Sequence, residues 1–290
     1  MPITRSALNL ILALSVLTLP DRLGFAQTTV AINANDPRPL AAAATQLEKQ
    51  VGVAINFEDI PYVFPGDLQD TTSTAMTDAQ RSAHPGATIV VPRGGPLTIT
   101  PVSMPNKGVS GVTAVLASLV SAYTVAGYPG VYSFSYANGA FFITPAQMHN
   151  SAGRMNSVSP ILDTAVTLPS QMRSAGDTLE AILQQVSQKT GIPVQIGQVP
   201  NGLMVNAQVT IGANSEAART VIARAFSAVA TGKMADGSAI TLLSYRLFFD
   251  PQLKYYMFNV HGVQPSTGPS PSIPANPAAG PNPYLRNGSK

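Results

Sequence analysis

Apolar and polar positions along the chain spell one phrase twice. In the first copy Leu40, Ala43, Ala44, Leu47 and Val51 recur at helical spacing, Gly52 follows, and Val53, Ile55 and Phe57 alternate with Ala54 and Asn56. That order predicts an amphipathic helix, a left-handed glycine stop and a half-buried strand. Asp36 is placed to cap the helix, with Pro37 at its first position, where a missing N–H does no harm. In the second copy Leu179, Ile182, Leu183 and Val186 make the stripe, Gly191 stops it, and Ile192, Val194 and Ile196 make the strand. Asp177 and Glu180 form a capping-box-like pair, and Pro193 marks a strand end or a sheet edge.

The parallel continues downstream. Residues 110–127 predict a helix with Val112, Val115, Leu116, Leu119, Val120 and Tyr123 inward; residues 215–232 predict another with Ala218, Val221, Ile222, Ala225, Phe226 and Val229 inward. A strand precedes each, at 96–102 and 204–211, and a hairpin follows each. The first hairpin turns at Asn138-Gly139, the strongest short hairpin signal, and the second at Asp250-Pro251. A leading strand opens each unit. The expected fold is therefore α+β: two tandem β-α-β-β-α-β-β modules, at 27–150 and 151–263, with helices packed on small mixed sheets.

The two ends read differently. Arg5, an apolar run over 7–19, the break at Pro20 and Asp21, and small residues at Gly24 and Ala26 predict a signal peptide over 1–26. The run falls short of the roughly 20 apolar residues of a membrane span. The implied localisation is periplasmic or secreted. Residues 264–290 hold seven prolines and few apolar residues, which predicts a disordered proline-rich tail.

Leu179, Leu183, Val186, Gly191, Ile192 and Val194, followed by Val209, Ala218, Ile222 and a closing hairpin, resemble the secretin and TonB short N-terminal domain. Leu40, Leu47, Gly52, Val53, Ile55, Val115, Leu119 and the hairpin at 132–143 resemble it again. The resemblance implies periplasmic interaction, ring-forming or signalling modules rather than catalysts. The chain departs from that family in two ways: neither a secretin barrel nor a receptor plug follows, and the first copy carries an insertion at about 60–92 where the family has a short loop. Loops of this length are functional or disordered.

Composition narrows the chemistry. Charged residues make up 11% of the chain and cysteine is absent, so thiolate chemistry and cysteine-ligated metals are excluded. No Lys/Arg cluster marks a nucleic-acid footprint. His84, His149 and His261 are scattered, and no zincin, nucleophile-elbow, Walker or dinucleotide motif occurs. In and just before the insertion, Glu58, Asp59, Asp67, Asp70 and Asp78 gather five of the 14 acids. Their irregular spacing does not match a calcium loop, so a solvated acidic loop is expected. Arg93 beside Gly94 and Gly95 reads as a turn in preference to an anion nest. The aromatic run at 245–258 reads as a core hairpin rather than a stacking platform for nucleic acid.

The expected function is a non-catalytic binding or assembly module without cofactor or metal, whose partners are cell-envelope proteins or further copies. Strand addition at exposed sheet edges would supply the contact, with Phe141, Phe142, Ile143 and Thr144, and Tyr255, Tyr256, Phe258 and Val260, as the candidate edges. Glu58, Asp59, Asp67, Asp70 and Arg93 mark the insertion as a second candidate region. The alternative is a secreted hydrolase of envelope polymers, which requires a deep pocket gathering Glu58 or Asp59 with Asp67 or Asp70.

Overall fold

A computed structural model describes residues 28–104, 108–230 and 242–263. The first half runs β1 (Thr28–Asp36), α1 (Pro39–Val51), β2 (Ile55–Glu58), β3 (Leu68–Asp70), α2 (Thr72–Ala75), α3 (Asp78–Ala83), β4 (Val90–Pro92), β5 (Gly95–Met104), α4 (Val109–Val125), β6 (Val131–Ala137) and β7 (Ala140–His149). A short β8 (Met155–Ser157) leads to the second half: β9 (Ala165–Ser174), α5 (Ala175–Thr190), β10 (Val194–Ile196), α6 (Asn201–Asn206), β11 (Gln208–Ala217), α7 (Ala218–Ala230), β12 (Leu242–Asp250) and β13 (Tyr255–Val263). The fold is α+β, with small mixed sheets, as the periodicity predicts. The predicted signal peptide and tail lie outside the described residues.

Local details shift where caps compete. Helix α1 begins at Pro39, and the Asp36 carboxylate instead accepts the Arg38 N–H at 2.7 Å in a turn. Helix α5 begins before the Asp177/Glu180 pair, because the Ser174 hydroxyl takes the Asp177 N–H at 3.0 Å. Residues 201–206 form a short helix, so the predicted strand at 204–211 starts only at Gln208. Both glycine stops stand as predicted, with φ of 70° at Gly52 and 71° at Gly191. The hairpin turn also stands: Asn138 and Gly139 both have positive φ.

Each half has three layers. A two-stranded antiparallel ribbon (β1 with β5, or β9 with β11) lies outside a helix pair, and the helices cover strands of a larger sheet. That larger sheet joins the halves. Its order is β10-β13-β12-β2-β7-β6, with β8 pairing on β7. Strands β12 and β2, one from each half, run parallel at the centre, with Arg246 beside Phe57 and Leu247 beside Glu58. The buried core is continuous across this junction.

The halves enter the sheet upside down relative to each other. Phe57 stacks on Tyr132, which meets Tyr123 of α4 edge-on, so the first helix pair covers that face. Tyr245, whose neighbour Arg246 pairs beside Phe57, points to the other face because strand side chains alternate. There it packs on Phe226 of α7 and stacks on Phe258. Following the pairings, β2 runs antiparallel to its counterpart β10. The second half thus maps onto the first by a half-turn about the line crossing the strands, plus a shift along it.

Candidate functional site

Three buried acids meet at the β2–β12 junction. Glu48, on the last turns of α1, is 2% exposed and accepts the Ile55 N–H at 2.7 Å. Its other oxygen takes Arg246 Nη2 at 2.5 Å and lies 2.9 Å from His261 Nε2. Arg246 is itself 5% exposed and also donates to the Ile55 carbonyl at 2.6 Å and the Thr45 hydroxyl at 2.9 Å. Burial works to raise the Glu48 pKa, but the Arg246 charge and the His261 contact outweigh it and hold the carboxyl below its ordinary value.

Glu58 accepts from Arg219 of α7 at 2.6 Å and from the Tyr245 hydroxyl at 2.9 Å, and Arg219 also reaches Asp163 at 2.6 Å. Burial opposes the Arg219 charge, yet Glu58 more than compensates and keeps the guanidinium firmly protonated. Asp59 takes Arg38 Nε at 2.7 Å and the Tyr62 hydroxyl at 2.5 Å. Arg38 continues across the junction to the Phe249 carbonyl at 2.6 Å and lies over the Phe248 ring. Burial, then the Asp59 charge, pushes the Tyr62 phenol well above its usual range.

These acids belong to a sealed seam rather than a solvated loop. Loss of one partner from such a buried pair costs about 3–5 kcal/mol, whereas an intact pair mainly specifies which surfaces meet. Glu58, Asp59 and Asp67 are each 1% exposed, which corrects the expectation of a solvated acidic loop. Burial is possible because each has its own basic partner, and for Asp67 that partner is His149, with Nδ1 at 2.8 Å. Asp70 is exposed and bonded to Thr72, whose hydroxyl and N–H lower the Asp70 pKa. Arg93 is exposed, and its N–H donates to the Asp67 carbonyl at 2.7 Å. Gly94 is required by close approach, since a Cβ there would fall 2.3 Å from the Asp36 carbonyl oxygen.

The insertion is ordered. Strands β3 and β4 pair in a short ribbon, and Thr77 and Gln80 form a capping box for α3. The ribbon reaches the second half where Gln252 donates to the Thr88 carbonyl at 2.6 Å. A groove between β4 and the β12–β13 turn is lined by Arg38, Val91, Phe248 and Met257, and by none of the four acids Glu58, Asp59, Asp67 and Asp70. Among the described residues no group of three or more His, Cys, Asp or Glu is placed to hold a metal ion.

The predicted sheet edges are corrected. Phe141, Phe142, Ile143 and Thr144 lie on β7, which is flanked by β2 and β6. Tyr255, Tyr256, Phe258 and Val260 lie on β13, flanked by β10 and β12. Each hairpin folds with its second strand inward, so that strand's backbone is already paired on both sides. The end strands are β10 and β6. Pro193 was the sequence signal for β10; β6 carried none, because a strand of alternating aromatics and serines suits an edge or an interior position equally.

The seam predicts an acid response. The folded Glu48 pKa lies below the ordinary value of 4.5, so its contribution is fully present above about pH 4.5 and is lost as pH falls through the lowered folded value. Denaturation midpoints measured from pH 6 to 3 are expected to fall more steeply for the native chain than for Glu48→Gln. Parallel curves would show that Glu48 carries no such linkage. Compared with family models, curated proteins and solved structures, the chain finds no match in any of the three.

Proposed function

We propose that this chain is an exported, non-catalytic binding and assembly module of the cell envelope, similar to a tandem of secretin and TonB short N-terminal domains. The observation that carries the reading is the division of labour in the central sheet. Its middle is closed by buried arginine–carboxylate pairs, while its two end strands leave main-chain donors and acceptors unpaired by any described strand. An edge of this kind recruits an extended partner through main-chain hydrogen bonds. The same pairs argue against the hydrolase alternative. Glu58 and Asp59 are saturated by arginine and tyrosine donors, and buried phenols of raised pKa surround them rather than a substrate cleft.

The test is in-cell crosslinking of the tagged full-length chain in its native envelope, followed by mass spectrometry. Crosslinks from β6 or β10 to an envelope protein or to another copy are expected. Recovery of the protein free in the exported fraction, with no crosslinked species, would overturn the reading.

A further inference from the structure

The internal seam shows which strands of this fold accept each other, and among the described strands one of each kind is left without a neighbour on one side. At the seam, the first hairpin strand of the second half (β12) pairs parallel with the strand after the first helix of the first half (β2). Among the described residues, the end strands with no neighbour on their outer side are β6, which is the first hairpin strand of the first half, and β10, which is the strand after the first helix of the second half. The equivalence holds in detail. Phe134 pairs with Ile143 as Leu247 pairs with Phe258, and Phe57 pairs with Ile143 as Ile196 pairs with Phe258. The Val194 N–H is taken by Ser187 at 2.8 Å, as the Ile55 N–H is taken by Glu48.

We infer that β6 of one copy pairs in parallel with β10 of a second copy, repeating the β12–β2 joint between molecules. The inference rests on the assembly reading above and names its partner as a second copy of this chain. Equivalence fixes the register, placing Ser133 beside Ile196 and Phe134 beside Gly197, as Arg246 lies beside Phe57 and Leu247 beside Glu58.

Three observations favour this occupant. First, β6 reads VYSFSYA, seven residues with no charge and no proline, and Tyr136 on it is 46% exposed. An end strand with none of the usual protections is a template for pairing. On the opposing edge, Ile196 is 38% exposed.

Second, the two ion pairs that cross the seam between the halves are replaced at the free edges on both sides at once. Ser133 stands where Arg246 does and Ser187 where Glu48 does; Thr113 stands where Arg219 does and Gly197 where Glu58 does. At these four positions the joint between copies therefore places no unpaired charge, which would be costly if buried; Glu180, which lines the groove beside β10, is exposed. Third, Gln195, exposed on β10, supplies a side-chain amide where Asn56 accepts the Tyr245 N–H at 2.9 Å.

Because the two edges differ, the contact is heterologous and each added copy presents a fresh β6 and a fresh β10, so growth is open-ended rather than dimeric. The joint forms between separate molecules, whereas the internal seam is held at high effective concentration by one continuous chain, which makes the joint the weaker and reversible one.

The chain has no cysteine, so engineered pairs report directly. In the full chain carrying Ser133→Cys and Ile196→Cys, the two sites lie at opposite ends of six strands, about 24 Å apart. That is far beyond the roughly 7 Å reach of a disulfide, whereas paired strands bring them to about 5 Å. Mild oxidation is expected to give a ladder of dimers, trimers and longer species. A mixture of the two single variants is expected to stop at the mixed dimer.

For a control independent of cysteine, Ser133→Arg is expected to lower self-association in sedimentation about tenfold, and Ser187→Glu in the same chain to restore it by recreating the seam's charge pair. Absence of any crosslinked species, or a Ser133→Cys chain that dimerises alone as readily as the mixture, would overturn the inference. If crosslinking in cells still captures another envelope protein at β6 or β10, the assembly reading stands while the self-pairing inference fails.

Discussion

Arg246→Ala is expected to destabilise the protein by about 3–5 kcal/mol, read as a shift of the urea unfolding midpoint. The substitution removes the cation that shares the Glu48 carboxylate with His261 and leaves that carboxylate, 2% exposed, without its main partner. It also strips the Ile55 carbonyl of its guanidinium donor, at the point where β2 and β12 meet. With typical domain stabilities of about 5–15 kcal/mol, this one change removes a large share of the total. The double variant Glu48→Gln, Arg246→Met is expected to recover much of the loss, because it removes both buried charges together. A single-variant effect within about 0.5 kcal/mol, as at an ordinary surface site, would mean that the seam is open to water.

Phe258→Ala is expected to cost a similar amount, about 3–5 kcal/mol. Phe258 is fully buried, stacks on Tyr245 with ring centroids 4.7 Å apart, and sits between Ile196 and Leu247 in the sheet. The substitution separates two roles for β13. If β13 is interior, thermal unfolding shifts strongly downward. If instead stability is unchanged and capture of partners is lost, the strand is a contact surface and the observed strand order is wrong.

What the sequence disclosed was local. Helix stripes, glycine stops and the Asn138-Gly139 turn depend on residues a few positions apart, so period and turn chemistry reveal them. The doubled phrase led to the α+β repeat for the same reason. Strand neighbours are not local: β2 and β12 are paired across almost the whole chain. Glu58 reads as a solvated acid because its partner Arg219 stands 161 residues away, and Glu48 carries no sequence signal because Arg246 stands 198 residues away. No spacing rule joins residues so far apart, and so the insertion acids looked solvated and the wrong hairpin strands looked exposed. Helix starts were ambiguous for a different reason. Asp36 and Arg38 both precede a proline, and the side chain that could have capped α1 closes a turn instead.

The order of the central sheet sets the order in which the protein completes itself. A chain made from its N-terminus presents β2 and the acids around it early, while Arg219 and β12 arrive only near the end. Until then Glu48 and Glu58 remain hydrated, which favours an open first half with a bare β2 edge. Contacts of such long sequence separation are slow to form, and a strand edge left unpaired meanwhile is prone to wrong pairing. The docking of β12 against β2 is thus among the most distant contacts in the chain, where Arg246 and Arg219 neutralise acids laid down 198 and 161 residues earlier.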